Sequence, residues 1–276
     1  MRALSGYEIG KASGLAYRIL PGEGDAVLWL HGYTLDSSSW EDLWAMLPGW
    51  RHIGVDLPGH GASDPIPKGA NLRDVGQMIS AFCLDHHIRH IAGLSFGTIF
   101  AIQTSLELPD HFSSITLGAP ALAGGPRDPE MARVYSEMIA RFAKSGMDER
   151  LISMWLSSPA WKGIDKRTGL ADALIPIVKR HAWSELASFA SMLQFTYPPQ
   201  KEEDLTRIRS PLMILIGEYE MECFRECATI LRRSVAGASL HVLPETDHLC
   251  TLQSPEISAK WIASHLAGHA ASRSPR

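Results

Sequence analysis

Apolar positions along this chain follow two rhythms that take turns. Asp25-Ala26-Val27-Leu28-Trp29-Leu30 is a short, almost continuously apolar run. A stretch of that length without a polar face reads as a strand buried on both sides of a mostly parallel sheet. His52 to Asp56, Ile91 to Ser95, Ser114 to Leu117, Pro211 to Gly217 and Leu240 to Leu243 read as further strands. Between them the spacing becomes helical. Asn71 to His87 places Val75, Met78, Ile79, Phe82 and Cys83 on one face. Helices are also expected over Phe96 to Leu108, Cys223 to Val235 and Pro255 to Ala267. Ser38-Ser39-Trp40-Glu41 resembles a capping box that opens a helix through Leu47. Ahead of all these, Tyr7 to Ile9 and Ala16 to Leu20 form an expected hairpin around Ser13-Gly14. Strands alternating with helices imply parallel pairing and right-handed crossovers, hence an α/β fold with a mostly parallel central sheet flanked by helices.

The alternation breaks between residues 122 and 200, which hold helical patterns and no convincing strand. Met131, Val134, Met138 and Phe142 make an apolar stripe opposite Arg133, Glu137, Arg141 and Lys144. Gly124-Gly125-Pro126 and Pro198-Pro199 punctuate the edges. The expected organisation is a core of residues 1–121 and 201–269, a helical insertion over 122–200, and a disordered tail at 270–276. Five of the ten methionines fall in the insertion. Methionine adapts its shape, so this composition fits an apolar lid over a pocket, and equally fits packing of the insertion onto the core.

Composition narrows the function classes. The 276 residues are 45% apolar and 20% charged, with a net charge of −4. No basic stripe points to nucleic acid, and no polybasic or membrane-length apolar segment points to a bilayer. The start, Met1-Arg2-Ala3-Leu4-Ser5-Gly6-Tyr7, lacks a signal-peptide stretch. Cys83, Cys223, Cys227 and Cys250 are scattered, which fits a reducing cytoplasm. Cys223 and Cys227 lie one helical turn apart with no second ligand pair nearby, so no metal site is expected, and no cofactor either.

The chemistry starts at Gly93-Leu94-Ser95-Phe96-Gly97, a G-x-S-x-G pattern between an expected strand and an expected helix. A tight strand-to-helix reversal leaves no room for side chains at the two glycines and strains the serine backbone. Serine is a poor nucleophile until a base takes its proton, and the base needs an orienting acid. Gly217-Glu218-Tyr219-Glu220 and Thr246-Asp247-His248 each follow a C-terminal strand. The order Ser95, Glu220, His248 is serine, acid, histidine.

These residues resemble the α/β-hydrolase fold superfamily, in its serine-nucleophile branch with a helical lid. The match covers most of the chain outside the insertion. His31-Gly32-Tyr33 resembles the family's His-Gly-x oxyanion segment, and Asp56-Leu57-Pro58-Gly59-His60-Gly61-Ala62-Ser63-Asp64 its D-x-P-G-H-G-x-S-D loop. Leu205 to Pro211 resembles the lead-in to the acid-bearing strand. The family's acid segment is usually G-x-x-D. Here Glu220 holds the fourth place, one methylene longer, with Glu218 and Glu222 as rivals. The resemblance implies that Ser95 attacks, His248 is its base, and Glu220 orients the histidine. It also implies an oxyanion hole from the backbone N–H groups of Tyr33 and Phe96. His31 is expected to shape the oxyanion loop, His60 to pack under the site, and Asp247 to be structural. His86, His87 and His90 are expected at a helix end.

A serine at position 95 excludes the branches with an aspartate nucleophile. The expected activity is cleavage of an ester, thioester or lactone of a small, largely apolar molecule through an acyl-enzyme. Trp155, Trp161 and Trp183, with Phe189 and Phe195, are candidate pocket walls. The insertion carries ten basic and eight acidic side chains, a net +2 against −4 for the whole chain, which would suit a thioester on a phosphorylated carrier and equally fits a solvated surface. The same triad also serves carbon–carbon bond hydrolysis, lyase or cofactor-free peroxidase chemistry. A ligand-binding receptor with vestigial turnover is the reading from another class.

Overall fold

A computed structural model describes residues 6–187, 195 and 197–270. Its centre is one eight-stranded sheet in the order β1-β2-β4-β3-β5-β6-β7-β8. The strands are β1 (Glu8–Ala12), β2 (Leu15–Leu20), β3 (Ala26–Leu30), β4 (Arg51–Val55), β5 (Ile88–Leu94), β6 (Ser114–Gly118), β7 (Leu212–Gly217) and β8 (Ser239–Leu243). β1 and β2 pair antiparallel, as do β2 and β4, and every other pairing is parallel. Among the described residues, seven longer helices accompany the sheet. These are α1 (Leu72–Asp85), α2 (Phe96–Glu107), α3 (Pro129–Ser145), α4 (Glu149–Leu156), α5 (Leu170–Arg180), α6 (Glu222–Ser234) and α7 (Pro255–Gly268).

Strand periodicity divides the core into two layers. In β7, Leu212, Ile214 and Ile216 face one layer while Met213 and Leu215 face the other. In β3, Leu28 and Leu30 take the first side and Val27 and Trp29 the second. Phe82 of α1, Phe100 of α2 and Leu231 of α6 fill the first layer. Trp40, Trp44, Ile262 of α7 and much of the helical segment between β6 and β7 fill the second. Both faces are therefore covered, which is why these strands show no polar alternation.

Two expected details differ. No capping box starts at Ser38. Asp36 caps a short 3₁₀ turn over Ser37–Trp40, and only Glu41–Trp44 continues as α-helix. The Asp36 carboxylate sits two positions earlier and accepts from the Ser38 N–H at 2.9 Å, so it takes the capping place. His90 lies inside strand β5, not at a helix end. Its Nδ1 is 2.8 Å from Ser114 Oγ on the neighbouring strand. His86 and His87 do follow the end of α1. The tail expected from residue 270 lies, from 271 on, outside the described residues.

The segment from 122 to 200 carries α3, α4 and α5 with short 3₁₀ turns. Val134 and Met138 of the expected stripe are buried, and Arg133 pairs with Glu137 on the outer side at 2.7 Å. Three of the segment's cations pair with acids elsewhere in the chain. Lys166 reaches Asp247 at 2.6 Å, Arg167 reaches Asp42 at 2.7 Å, and Arg180 reaches Asp36 at 2.6 Å. These pairs fasten the helical segment to the rest of the chain.

Strand order locates the crevice. The chain leaves β3 toward β4 on one side and takes up β5 on the other. Open sheets bind ligands beyond the carboxyl ends of strands at such a switch point. The loop after β3 and the reversal from β5 into α2 meet there. A Cβ at Gly97 would lie 2.3 Å from Leu30 O and 2.6 Å from His31 O, and one at Gly93 would lie 3.0 Å from the Gly97 backbone. Because the obstacles are backbone atoms, neither can step aside. Gly97→Ala is expected to cost more than ~2 kcal/mol of stability, measured by chemical denaturation. Wild-type stability in that variant would contradict the close approach.

Candidate active site

Ser95 occupies the first non-strand position after β5, at φ 50° and ψ −117°. Positive φ is strained for any residue with a Cβ. The strain is held by the glycine contacts around it and by the Ser95 N–H, which donates to Gly118 O at 2.8 Å. The reversal leaves the Ser95 side chain facing a cavity.

Ser95 Oγ lies 2.7 Å from Nε2 of His248. Nδ1 of the same ring lies 2.9 Å from Oε1 of Glu220. The Glu220 side chain is fully buried, and its Oε1 also accepts the Met221 N–H at 2.9 Å. The loops carrying the two residues are stitched together. Glu218 N–H donates to Leu243 O at 3.0 Å and Tyr219 N–H to Thr246 O at 2.9 Å. A Cβ at Gly217 would sit 2.2 Å from Asp247 O, so only glycine permits that approach. Of the rival acids, Glu218 turns outward to accept the Glu245 N–H at 2.9 Å, and Glu222 is an exposed residue opening α6. Asp247 faces away from the histidine and pairs with Lys166.

Two neighbours of this relay carry no sequence signal. Arg225 donates to the backbone carbonyls of Glu220 at 3.1 Å, Gly217 at 3.4 Å and Glu218, which clamps the acid-bearing loop. Phe224 packs its ring 4.2 Å from that of His248, restricting the imidazole's tilt. Only the register of α6 against β7 brings them there.

The turn after β3 faces Ser95. Leu35 N–H donates to Gly32 O at 3.1 Å, and Thr34 sits between them at φ 64°. A type II turn asks for glycine at that position, and a β-branched residue there costs about 1–3 kcal/mol. Trp155 from α4 donates to Thr34 Oγ1 at 2.7 Å, and that hydroxyl donates to Tyr33 O at 2.6 Å. Tyr33 and Phe96 both line the cavity beside Ser95. Phe96 opens α2, where backbone N–H groups have no intrahelical acceptor. The Tyr33 hydroxyl donates to Glu185, and its ring meets those of His60, Phe96, Tyr135, Trp155, His181 and Trp183.

The cavity measures about 390 Å³. Met131, Tyr135, Ile139, Trp155, Trp161 and Phe195 form much of its apolar wall. Arg127 and Asp128 are adjacent charges on its lining. Trp183 does not line it. That indole is fully buried behind Tyr33 and His181, so its place is support for the wall. Phe189 lies outside the described residues. Cys223 and Cys227 line the cavity, and burial pushes their thiols up to about 12 and about 11, which keeps them protonated and unreactive. Among the described residues no three His, Cys, Asp or Glu side chains converge as a metal site. No described helix is long and apolar enough to cross a membrane.

Residues 27–261 match the Alpha/beta hydrolase family. The chain belongs to this family. It is 26% identical over 247 residues to a 2-succinyl-6-hydroxy-2,4-cyclohexadiene-1-carboxylate synthase from Enterobacter sp. (strain 638), covering 87% of this chain and 91% of that one. It is 24% identical over 266 residues to monoacylglycerol lipase abhd6-A of Xenopus laevis, covering 90% of this chain and 77% of that one. A thermophilic esterase from Thermogutta terrifontis, solved with malate bound, superposes with a TM-score of 0.78 at 21% identity, covering 96% of this chain and 100% of that one. The last likeness speaks for the fold.

In this alpha/beta hydrolase the ground beneath the Tyr33 turn is rich in buried titratable groups. His31 accepts the Leu57 N–H on Nε2 at 3.0 Å, which leaves Nδ1–H to donate to Gly32 O at 2.8 Å. Burial pushes the imidazoles of His31 and His60 down, so both stay neutral. His31 thereby shapes the turn, and His60 packs under Tyr33 and Phe96. Burial opposes ionisation of Asp36, but hydrogen bonds from Ser38 and Arg180 outweigh it and hold its carboxyl below the usual range. Because the folded carboxyl is the stronger acid, its contribution to stability is complete above the unfolded value and is lost as pH falls through the folded one. Thermal melting should therefore place Asp36→Asn a few degrees below wild type at about pH 7, with the gap closing toward about pH 3. A gap that widens on acidification would reverse the assigned sign.

Proposed function

We propose that the protein is a serine hydrolase that cleaves the ester, thioester or lactone of a small, largely apolar substrate through an acyl-enzyme. The observation that carries this reading is the unbroken Ser95–His248–Glu220 relay, with contacts of 2.7 and 2.9 Å, opening on an apolar cavity. His248 Nε2 takes the Ser95 proton as Oγ bonds to the carbonyl carbon, and the carbonyl oxygen becomes an oxyanion. The Tyr33 and Phe96 N–H groups receive that charge. Collapse of the adduct breaks the bond to the leaving oxygen or sulfur, which His248 protonates. Water then gives its proton to His248 and attacks the acyl group, and the acid leaves as Ser95 regains its proton. Glu220 keeps Nδ1 protonated throughout and stabilises the imidazolium. Trp155 and Trp161 contribute the apolar wall against which the substrate rests.

Cavity chemistry favours an apolar carboxylic ester within this class. The Enterobacter relative is named for a product with two carboxylates, whereas Arg127, beside Asp128, is the one Lys or Arg on this cavity's lining among the described residues. A panel of p-nitrophenyl esters, acyl thioesters, lactones and cyclic diketones decides the reaction class. Preferred turnover of a diketone would move the same triad to carbon–carbon chemistry. Single turnover with tight retention of ligand would favour a receptor.

Ser95→Ala should lose on the order of 10⁶ in kcat and all labelling by an organophosphonate. Glu220→Gln should lose about 10³–10⁴ in kcat, while Glu218→Gln stays within about threefold of wild type. Ester hydrolysis at the wild-type rate by Ser95→Ala would end the proposal.

A further inference from the structure

We propose that Glu185 is a positioning residue for the oxyanion-binding turn, holding the Tyr33 phenol so that the Tyr33 backbone N–H stays aimed at the reacting carbonyl. This rests on the hydrolase reading above and adds a residue outside the triad. Glu185 lies just beyond α5 in the helical segment between β6 and β7. Its side chain is 1% exposed and absent from the cavity lining, so it touches no substrate. Its Oε1 accepts from the Tyr33 hydroxyl and lies 3.0 Å from Nε2 of His181. Burial opposes its ionisation, but the hydrogen bonds from His181 and Tyr33 outweigh it, and the carboxyl lies below its usual range.

A buried carboxylate is costly unless its partners are well placed, and here Tyr33 and His181 both meet the same oxygen, Oε1. Six aromatic side chains box the Tyr33 ring laterally, which leaves its depth to be set at the hydroxyl. The ring's own backbone carries the N–H in question. The next residue is Thr34 at positive φ, gripped by Trp155 from the same helical segment. A strained turn relaxes when its restraints go, and an N–H that has moved solvates the oxyanion less well. A carboxylate that merely pinned the segment to the core would not discriminate between ground state and tetrahedral adduct.

The test compares Tyr33→Phe, Glu185→Gln and the double variant with wild type on p-nitrophenyl butyrate. It adds two inhibitors, an alkyl trifluoromethyl ketone and its methyl ketone counterpart. The first accepts Ser95 Oγ at its carbonyl carbon, passes the serine proton to His248 and places an oxyanion in the hole. The second binds without that bond. Tyr33→Phe removes only the hydroxyl, and should lose about 10–100-fold in kcat with KM changed less than about threefold. Its trifluoromethyl ketone Ki should weaken by the same factor, and its methyl ketone Ki should not move. The double variant should be no worse than Tyr33→Phe by more than about threefold, because both substitutions act on one hydrogen bond, which Phe removes and Gln weakens by taking away the charge. If Glu185→Gln does not fold, Tyr33→Phe carries the test from the other end of the bond. Wild-type kcat and trifluoromethyl ketone affinity in Tyr33→Phe, or equal losses for both ketones, overturn the proposal alone. A wild-type protein that neither cleaves any ester nor captures the trifluoromethyl ketone overturns the hydrolase reading, and the proposal falls with it.

Discussion

Two backbone approaches at the carboxyl edge of the sheet are closer than a Cβ allows. At Gly97 the backbone of α2 presses on the end of β3, where an added Cβ would meet Leu30 O at 2.3 Å. At Gly217 the end of β7 presses on the histidine loop, where it would meet Asp247 O at 2.2 Å. The first contact sets the angle at which Ser95 leaves the sheet. The second brings the acid and histidine loops within hydrogen-bonding reach. Without both, Ser95, Glu220 and His248 would sit on three adjacent parts of one edge and still fail to touch. The relay is thus a consequence of backbone packing before it is one of side-chain chemistry.

The other half of the site depends on a different force. Tyr33 is held from the helical segment by an aromatic box, by Glu185 and, through Thr34, by Trp155. Three ion pairs fasten that segment to the rest of the chain. Each has at least one partly exposed partner, so each contributes little alone. Their role is registration: Arg180 on Asp36 fixes the end of α5 over the residue that caps the turn leading away from Tyr33. Asp56 acts similarly below, accepting from the Ser37 N–H at 2.8 Å and the Ala62 N–H at 2.9 Å, and so folds the conspicuous Asp56–Asp64 loop around itself. That loop serves the oxyanion turn's foundation and does not line the cavity.

Most of the sheet and the Ser95–Glu220–His248 contact were legible because both rest on local signals. Buried parallel strands announce themselves as unbroken apolar runs, and G-x-S-x-G announces a turn. Boundaries moved by a few residues where the pattern could not register hydrogen bonding, as at β1 and β5. His90 was misplaced because a buried polar residue inside a strand looks like a helix end unless its cross-strand partner Ser114 is known. The capping error at Ser38 arose where Asp36 and Ser38 offered the same chemistry two residues apart. Trp183 was read as a pocket wall because an aromatic residue in a helical insertion gives no sign of which way it points. Glu185 and Arg225 were invisible for a related reason. Their partners lie far away in sequence or along the backbone, and neither position carries a motif.

The two halves of the site divide the catalytic work. Apolar walls such as Trp155, Trp161 and Phe195 hold substrate and tetrahedral adduct alike, since burying a methylene contributes about 0.8 kcal/mol in either. Binding of that kind lowers KM without raising kcat. Only groups that meet charge as it develops separate the two states, and on the proposed mechanism those are the imidazole and the backbone N–H groups. Trp155 serves both halves of the site, lining the cavity with its ring while its indole N–H holds Thr34. On the proposed reading, the wall against which the acyl group rests and the strut that braces the oxyanion turn are therefore one side chain. Reshaping the pocket at that position cannot leave the turn untouched, which restricts changes of specificity to walls with no such bond, such as Met131 and Ile139.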